Sequence, residues 1–253
     1  MTSQEIFTAL DLPASAQVNQ RVPKKLLVEN GAPTAADKRI INEGIEEIQW
    51  LAALKPSTIG VPEYRDQERE YLEIAVMHIA LRPDAKASRI VELAHRAVPY
   101  PLMLLLTANQ QLTLSLAHIR WAQNEAGKVV LDGEPVQVAL DTQSTLPEIS
   151  AAFLQALSIT RQPRSNLRSL YQGWLDTLSA FQAAQLTGRF AQSVSDEQAA
   201  VRRASLQRCR EIEQQIAVLR AAAAKEKQIV RQVALNLEIK QLQSKQQEAL
   251  VQL

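Results

Sequence analysis

Length, composition and charge set the first limits on this chain. It has 253 residues and a formal net charge of +1, and 46% of its residues are apolar, which is enough for a hydrophobic core. The single cysteine, Cys209, excludes an intramolecular disulfide and is typical of a reducing compartment. The first residues lack the basic and apolar regions of a signal peptide, and the most apolar run, residues 98–106, is too short to span a bilayer. We therefore expect a cytoplasmic protein without a membrane partner.

The near-neutral total hides an uneven distribution of charge. Residues 1–159 hold 14 Lys+Arg and 19 Asp+Glu, a balance of −5, whereas residues 160–253 hold 14 and 8, a balance of +6. This division favours two surfaces with different partners, or an acidic domain that a basic tail can approach. Ordinary solvated faces on both parts are the alternative.

Two elements are predicted before the first long helix. Residues 3–10 have the pattern of a short helix, which Pro13 follows. Residues 18–29 look extended. Pro23 lacks a backbone N–H, so it would restrict such a strand to the edge of a sheet.

A helix start follows near residue 34. Thr34 can act as the N-cap, and Asp37 lies three residues further on, as in a capping box. Lys55 and Pro56 would end the element. The pattern therefore predicts a helix over residues 35–54. The apolar residues at helical spacing are Ile41, Ile45, Ile48 and Leu51 or Ala52.

The next segments predict a sheet. Residues 71–81 and 100–106 are apolar runs typical of buried strands, and residues 86–97 between them have helical spacing. Residues 112–121 alternate between apolar and polar side chains after a polar turn, which predicts an antiparallel hairpin. We therefore predict an α+β domain over residues 1–145, with a mainly antiparallel sheet of four or five strands and flanking helices.

The remainder of the chain is predicted to be all-helical. Residues 146–190 form a helical connector that begins at Pro147 and ends near Gly188. Residues 189–253 contain neither proline nor glycine, and their composition predicts one long continuous helix, which would reach roughly 80–90 Å. We call residues 191–253 the C-terminal arm, and we expect it to be coiled-coil-like and to meet a second chain or to fold back over its own.

An apolar seam with alternating spacings of three and four residues runs along this arm. Up to about Leu235, one heptad register places apolar residues along the seam, except at Glu226. Beyond Leu235 a shifted register places more apolar residues along the seam. We therefore expect the helix to change its packing neighbours near Leu235. Because packing stabilises most helices, we expect the seam to bind a protein partner or a second copy. The residues expected at that surface are Ile212, Ile216, Leu219, Val230, Val233, Leu237, Ile239 and Leu242.

The sequence contains little that points to chemistry. His78, His95 and His118 lie on separate predicted elements, and none of them shares metal-ligand spacing with another. No phosphate-binding loop, nucleophile elbow or zinc-protease pattern occurs. We therefore expect neither a metal nor a cofactor, assign no catalytic residue, and favour a non-enzymatic protein.

Two alternatives rest on particular residues. A divergent nuclease could use Asp132 and Glu134, although Val136 stands where a nuclease usually has lysine.

A nucleic-acid-binding module could contact phosphates through basic residues, or these residues could be ordinary exposed charges. His118 and Arg120 alternate on a predicted strand and form either a site or a structural hydrogen-bonded pair. The proposed nucleic-acid contacts are Arg21, Lys24, Lys25, His118 and Arg120.

Segments in a specific order over nearly the whole chain resemble an uncharacterised bacterial family, domain-of-unknown-function family 4391. Members of that family are found beside helicases, DNA methyltransferases and restriction-type enzymes in phage-defence clusters. The resemblance thus implies an accessory subunit with such partners, and it supplies no activity that could be carried over to this chain. The segments are VNQRVPKK (18–25), Asp37-Lys38, IQWL (48–51), LKP (54–56), REY (69–71), residues 90–102, AHIR (117–120), KEKQ (225–228), RQVALN (231–236) and Ile239-Lys240.

These expectations combine into one leading hypothesis. The protein is a non-catalytic adaptor in which the α+β domain binds one component of a defence system. The helical arm binds another component or a second copy of the chain. DNA contact remains the second hypothesis, and nuclease activity the third.

Overall fold

The computed structural model describes residues 1–123, 129–140 and 146–253. The chain divides into two units, Met1–Leu178, which we call the body, and Ser179–Leu253, which we call the tail unit. All of the strands described belong to the body. Among the described residues, no helix combines the length and the apolar character needed to cross a membrane.

Six strands of the body form one sheet in the order β1-β2-β5-β6-β7-β10. β5 and β6 run parallel, and the other neighbours are antiparallel. Two small ribbons, β3-β4 and β8-β9, lie outside this sheet. The strands are β1 (Gln17–Arg21), β2 (Ile45–Leu54), β3 (Tyr64–Arg65), β4 (Glu70–Tyr71), β5 (Ile74–Leu81), β6 (Leu102–Ala108), β7 (Gln111–Ala117), β8 (Ile119–Trp121), β9 (Val129–Leu131) and β10 (Val136–Ala139).

Helices flank the sheet and make up the tail unit, so the predicted fold class is confirmed. The first helix begins at a capping box, in which Thr2 accepts the N–H of Glu5 and the Glu5 carboxylate accepts the N–H of Thr2. The helices are α1 (Ser3–Ala9), α2 (Lys24–Gly31), α3 (Ala35–Gly44), α4 (Pro56–Ile59), α5 (Ala87–Ala97), α6 (Pro147–Ala156), α7 (Leu167–Thr187), α8 (Asp196–Lys225) and α9 (Ile229–Leu250).

Apolar side chains bury both faces of the central strands. Helices α2, α3 and α5 pack against one face. Val76 and Met103, which point to the opposite face, are fully buried as well. On α7, the hydroxyl of Tyr171 donates to the carbonyl of Leu102 at 2.7 Å and accepts the N–H of Ala117 at 2.9 Å, which ties that helix to the ends of β6 and β7. The first face includes Leu27, Ile41, Ile48, Met77, Ile90, Leu93 and Leu104.

The predicted helix over residues 35–54 is wrong in its second half. The helix α3 ends at Gly44, and the chain continues as strand β2 between β1 and β5. The pairing of β2 with β5 contains two register irregularities, each with one extra residue on β2. The buried side chains of Ile45, Ile48 and Ala52 therefore recur at intervals of three and four rather than two, which imitates helical spacing.

The predicted extended segment over residues 18–29 is correct only at its start. The strand β1 ends at Arg21, and α2 begins directly after Pro23. Proline suits this position because its restricted φ is compatible with a helix start. The helix packs against α5 so closely that a Cβ added at Gly31 would lie 2.6 Å from the Cβ of Ala97.

In the tail unit, the predicted single continuous helix is wrong. The α8 helix begins at its N-cap Ser195 and ends at Lys225, and α9 starts at Ile229. Glu226 leaves the helical conformation, and its carboxylate accepts the N–H of Gln228 at 2.9 Å. The two helices fold back on each other as an antiparallel pair, which we call the hairpin. The polar position in the predicted seam is thus the point at which the helix breaks.

Gly31→Ala tests the close approach of α2 and α5. A methyl group at this position would also lie 2.6 Å from the carbonyl oxygen of Leu93, so backbone must move. We expect a loss of about 1–3 kcal/mol in the free energy of unfolding, measured by urea denaturation. Asn30→Ala, an exposed change on the same helix, is the control. Equal stability of the two variants would contradict the close packing.

Candidate functional site

Two of the basic residues proposed for nucleic-acid binding lie exposed on the body and form ion pairs. The Nε atom of Arg21, on β1, lies 3.6 Å from a carboxylate oxygen of Glu47. The ammonium of Lys25 lies 3.5 Å from Glu29, one turn further along α2. Exposed pairs of this kind contribute little to stability. Both side chains remain accessible to solvent.

The third of these residues, Lys24, contacts the backbone instead. Its ammonium donates to the carbonyl oxygen of Asn42 at 3.4 Å and to that of Ile45, where α3 gives way to β2. A cation at the end of a helix also interacts favourably with the helix dipole. Burial, followed by the charges of Arg82 and Arg21, lowers the pKa of Lys24. This ammonium group is engaged within the fold.

The structure does not bring the five proposed nucleic-acid contacts together. Arg21 lies on β1, the first strand of the sheet, whereas His118 directly follows β7, the fifth strand in order. Four steps between neighbouring strands correspond to about 19 Å. His118 and Arg120 also have different neighbours, so the proposed residues form separate groups.

His118 is held between polar side chains from other elements. Its Nδ1 atom accepts the hydroxyl proton of Tyr71, and its Nε2 atom lies 2.8 Å from the side-chain oxygen of Gln172 on α7. This oxygen can only accept, so the ring carries its proton on Nε2. The amide nitrogen of Gln172 donates to Asp176 at 3.0 Å. Burial lowers the pKa of His118, which keeps the ring neutral. With both nitrogens engaged, the geometry favours a structural role.

Asp132, the carboxylate considered for a nuclease, is paired with arginines. Arg69 donates to one of its oxygens from Nε at 2.9 Å and from Nη2 at 2.6 Å. The Nε atom of Arg120 lies 3.8 Å from the other oxygen. Two guanidinium groups beside one carboxylate leave little negative charge to attract a divalent cation. Within residues 1–123, 129–140 and 146–253, no three acidic, histidine or cysteine side chains are grouped to hold a metal ion.

The two remaining histidines bond to hydroxyl groups in the sheet. The Nε2 atom of His78 lies 2.8 Å from Oγ1 of Thr107, and Nε2 of His95 lies 2.9 Å from Oγ of Ser115. His95 is almost fully buried, and this burial lowers its pKa to about 3. His78 on β5 thus bonds to the adjacent strand β6, and His95 on helix α5 bonds to β7.

An aromatic surface of the body lies beside Arg120, and we call Tyr100, Arg120 and Trp121 the Trp121 surface. All three side chains are half-buried and line a cavity of about 30 Å³. This volume holds about one or two water molecules, which is too small for an organic cofactor. Tryptophan, tyrosine and arginine are the residue types that most often dominate the energetics of protein interfaces. The cavity is completed by Glu70, Leu72, Pro99, Ile119 and Val129.

The eight residues proposed to bind a partner through the arm divide into two sets. Five of them pack within the hairpin, and the other three are exposed on α9. Val230, Val233 and Leu237 are 82%, 52% and 57% exposed, and the adjacent Ile229 is 76% exposed. We call these four residues the α9 stripe. The five internal residues are Ile212, Ile216, Leu219, Ile239 and Leu242.

Sequence reasoning missed several residues at these surfaces. Tyr71 and Gln172 lie 47 and 54 residues from His118, so no local pattern could show that they meet. Arg69 and its partner Asp132 are 63 residues apart. Only composition could have indicated the Trp121 surface in the sequence. Tyrosine and tryptophan are scarce in this chain, so an aromatic residue beside charged residues is a notable position.

Lys24→Met tests whether the ammonium group has a structural role. The methionine keeps the apolar stem but leaves the carbonyls of Asn42 and Ile45 without their donor. We expect the free energy of unfolding to fall by about 1–2 kcal/mol. Lys25→Met, on the exposed side of the same helix, is the matched control and should change it by less than about 0.5 kcal/mol. Unchanged stability with weakened DNA binding in Lys24→Met would favour the phosphate-contact hypothesis.

His95→Gln tests the effect of the buried histidine on pH dependence. In the unfolded chain the pKa of histidine is about 6.5, whereas burial lowers that of His95 to about 3. Between these values only the unfolded chain binds the proton. The free energy of unfolding should therefore fall as the pH falls below about 6.5, by about 1.4 kcal/mol per unit. Urea denaturation between about pH 5 and 7 should show a shallower slope in His95→Gln.

His78→Gln is the control for this experiment, because the ring of His78 is only partly buried. The pKa of His78 is also lowered by burial, so this variant should lose a smaller part of the slope. The same slope in His95→Gln and in the unmodified protein would contradict the assignment.

Comparison with known proteins agrees with the resemblance found in the sequence. A family model described as a domain of unknown function, DUF4391, matches residues 10–245, which include parts of both the body and the tail unit. No curated protein and no solved structure matches the chain. Since the matched region covers most of the 253 residues, the chain belongs to the DUF4391 family.

Proposed function

We propose that this protein is an accessory, non-catalytic adaptor subunit of a bacterial phage-defence system, and that it acts in the cytoplasm with a helicase, a DNA methyltransferase or a restriction-type subunit. The observation that carries the proposal is that each unit has its own surface suited to binding a protein. The body has the Trp121 surface, and the tail unit has the α9 stripe. An adaptor needs two such surfaces, because it holds two components at once.

The α9 stripe has the composition of a docking surface. Four aliphatic side chains in two turns of helix are more than half exposed, while the hairpin already has its own core. Burial of each such side chain contributes about 1.5–3 kcal/mol. Contiguous exposed apolar residues of this kind mark interaction sites on soluble proteins.

The Trp121 surface supports binding of a different component. It combines two aromatic rings with the guanidinium group of Arg120. Asp132 lies between Arg69 and Arg120, and its contacts with both hold Arg120 in place. Rings that are already half-buried lose little conformational entropy on binding, so the surface is pre-organised. This composition favours a protein partner over a small molecule, for which the cavity is too small.

The charges of the two units also differ in sign. The body holds 17 Lys+Arg and 20 Asp+Glu, a balance of −3, and the tail unit holds 11 and 7, a balance of +4. Surfaces of opposite charge attract different partners and repel wrong ones. The phage-defence context itself rests on the family resemblance, which supplies the class of partner.

Trp121→Ala tests the proposed adaptor role. The full chain is co-expressed with a helicase and a DNA methyltransferase of the defence system that the proposal assigns to it, and stoichiometric co-purification is expected. Loss of a central interface tryptophan costs about 2 kcal/mol or more, so binding should weaken by at least about thirtyfold, measured by calorimetry. Leu26→Ala, an exposed apolar position on α2, is the matched control and should leave affinity unchanged.

Two outcomes would contradict the adaptor role. One is the absence of any stoichiometric partner among these subunits. The other is DNA binding by the isolated protein that falls steeply with salt and is lost in Arg21→Ala, because that dependence indicates phosphate contacts and would favour the nucleic-acid alternative.

A further inference from the structure

We propose that Arg168, on the first turn of α7, and Tyr64, on β3, form a binding site for a carboxylate group of a protein. We call these two residues the Arg168 site. The inference rests on the proposed function in one respect, that the body binds a protein, and it names the chemical group that this protein presents.

The Arg168 site is distinct from the Trp121 surface. Tyr64 pairs with Tyr71 in the β3-β4 ribbon, and Glu70 directly precedes Tyr71. Successive side chains of a strand point to opposite faces, so Tyr64 and Tyr71 share one face of the ribbon and Glu70 lies on the other. Glu70 lines the Trp121 cavity. The Arg168 site therefore adds a second surface to the body.

Arg168 is half-buried, and its guanidinium group lacks an acceptor. The Nε atom is shielded from solvent and has no hydrogen-bond partner among the residues that the structure describes. Those residues provide no ion pair for it either. Its Cζ atom lies 5.3 Å from the centre of the Tyr64 ring, which is within the range of a cation–π interaction. A buried donor without an acceptor is costly, and more so when it is charged, so a ligand that supplies the acceptor binds favourably.

The carboxylates around the Arg168 site are bound by other donors. Asp66 accepts the hydroxyl proton of Tyr64 at 2.8 Å, together with two backbone N–H groups. Asp132 accepts two nitrogens of Arg69. Since both aspartates are already engaged, we assign the acceptor for Arg168 to another molecule.

The helix α7 holds the guanidinium group in position. Tyr171 and Gln172 follow Arg168 by three and four residues, so the three side chains lie on one face of the helix. The hydroxyl of Tyr171 bonds to the backbone of β6 and β7, and the side chain of Gln172 bonds to His118. This face of α7 is therefore fixed against the body. A site that is already positioned loses less entropy when it binds a ligand.

The donors present favour a carboxylate over a phosphate group. The fork of an arginine matches the two oxygens of a carboxylate, which would supply an acceptor to Nε and to one Nη together. Phosphate sites often add free N–H groups of a helix N-terminus. On α7, the N–H of Leu167 donates to Pro62 at 2.8 Å, and the N–H of Ser169 donates to Asn166 at 2.9 Å. The site thus offers one positive charge, and the aspartates nearby repel a dianion more than a monoanion.

NMR titration of the full chain tests the site, because the chain has only three histidines. Burial lowers the pKa of His118, and the positive charge of Arg168 lowers it further, whereas this charge does not act on His78 or His95. A carboxylate bound to Arg168 should therefore shift the ring signals of His118 and leave the other two unchanged. One charge-assisted pair is weak, so we expect half-saturation at roughly 10–100 mM.

Sodium salts at equal ionic strength separate the ligands. N-acetylglutamate α-amide carries only a side-chain carboxylate, and N-acetylglycine carries only a chain-end carboxylate. Phosphate tests a dianion, and chloride tests the effect of ionic strength alone. A saturable shift with either carboxylate supports the site, and the carboxylate that binds more tightly identifies a side chain or a chain end as the source.

Arg168→Gln tests which residue binds the carboxylate. The shift of His118 should be lost, because glutamine has no charge. Arg168→Lys should weaken binding by about threefold or more, since lysine keeps the charge but lacks the planar fork. Arg161→Gln removes the same charge at an exposed position seven residues earlier. This matched control should bind like the unmodified protein, and the signals of the two other histidines show whether each variant keeps its fold.

The inference is overturned if no carboxylate shifts His118 beyond the effect of chloride, if the shift persists in Arg168→Gln, or if phosphate binds more tightly than both carboxylates. These outcomes are separate from failure of the adaptor role. A protein that binds the carboxylate but co-purifies with no partner overturns only the adaptor. A protein that co-purifies with a helicase or methyltransferase but binds no carboxylate overturns only the Arg168 site.

Discussion

Burial of the central strands on both faces is the constraint on which the rest of the structure depends. The side chains of residues 74–77 on β5 and residues 102–106 on β6 are all buried. The two strands run parallel, which requires a crossover connection, and α5 provides it. A sheet buried on both faces at its centre leaves no open face there for a ligand. Surfaces available to partners therefore lie at its periphery, on the β8-β9 ribbon, and on the tail unit.

The polar groups inside the body follow from the same constraint. A buried polar group is costly unless it is hydrogen-bonded. His95 bonds to Ser115, and the hydroxyl of Tyr171 bonds to the backbone of β6 and β7. Glu73 is buried beside Lys55, with 3.1 Å between their charged atoms. These side chains position helices against strands, which explains why residues that looked chemically promising in the sequence are engaged in the fold.

What could be predicted from the sequence depended on how local the cause was. The helix over residues 86–97 and the antiparallel β6-β7 hairpin depend on neighbours in sequence, and they were predicted correctly. The strand β2 was missed because its irregularities arise from pairing with β5, about thirty residues away. At the candidate site, His118 and Arg120 were identified from the sequence. The residues that contact them come from distant segments of the chain, and a local sequence pattern cannot predict such contacts.

The heptad register of the apolar seam shifts near Leu235, and the structure of α9 gives the physical cause of this shift. Two apolar frames overlap on this helix and occupy opposite sides of it. One contains Ile239 and Leu242 and faces α8, and the other contains Val230, Val233 and Leu237 and faces away. A helix with one neighbour needs one apolar stripe, whereas a helix with two opposite stripes is typical of a position between two neighbours. Because the chain turns back at Glu226, α8 is one of these neighbours and belongs to the same chain. Because packing rather than propensity stabilises a helix of this length, the adaptor proposal assigns the second stripe to a partner.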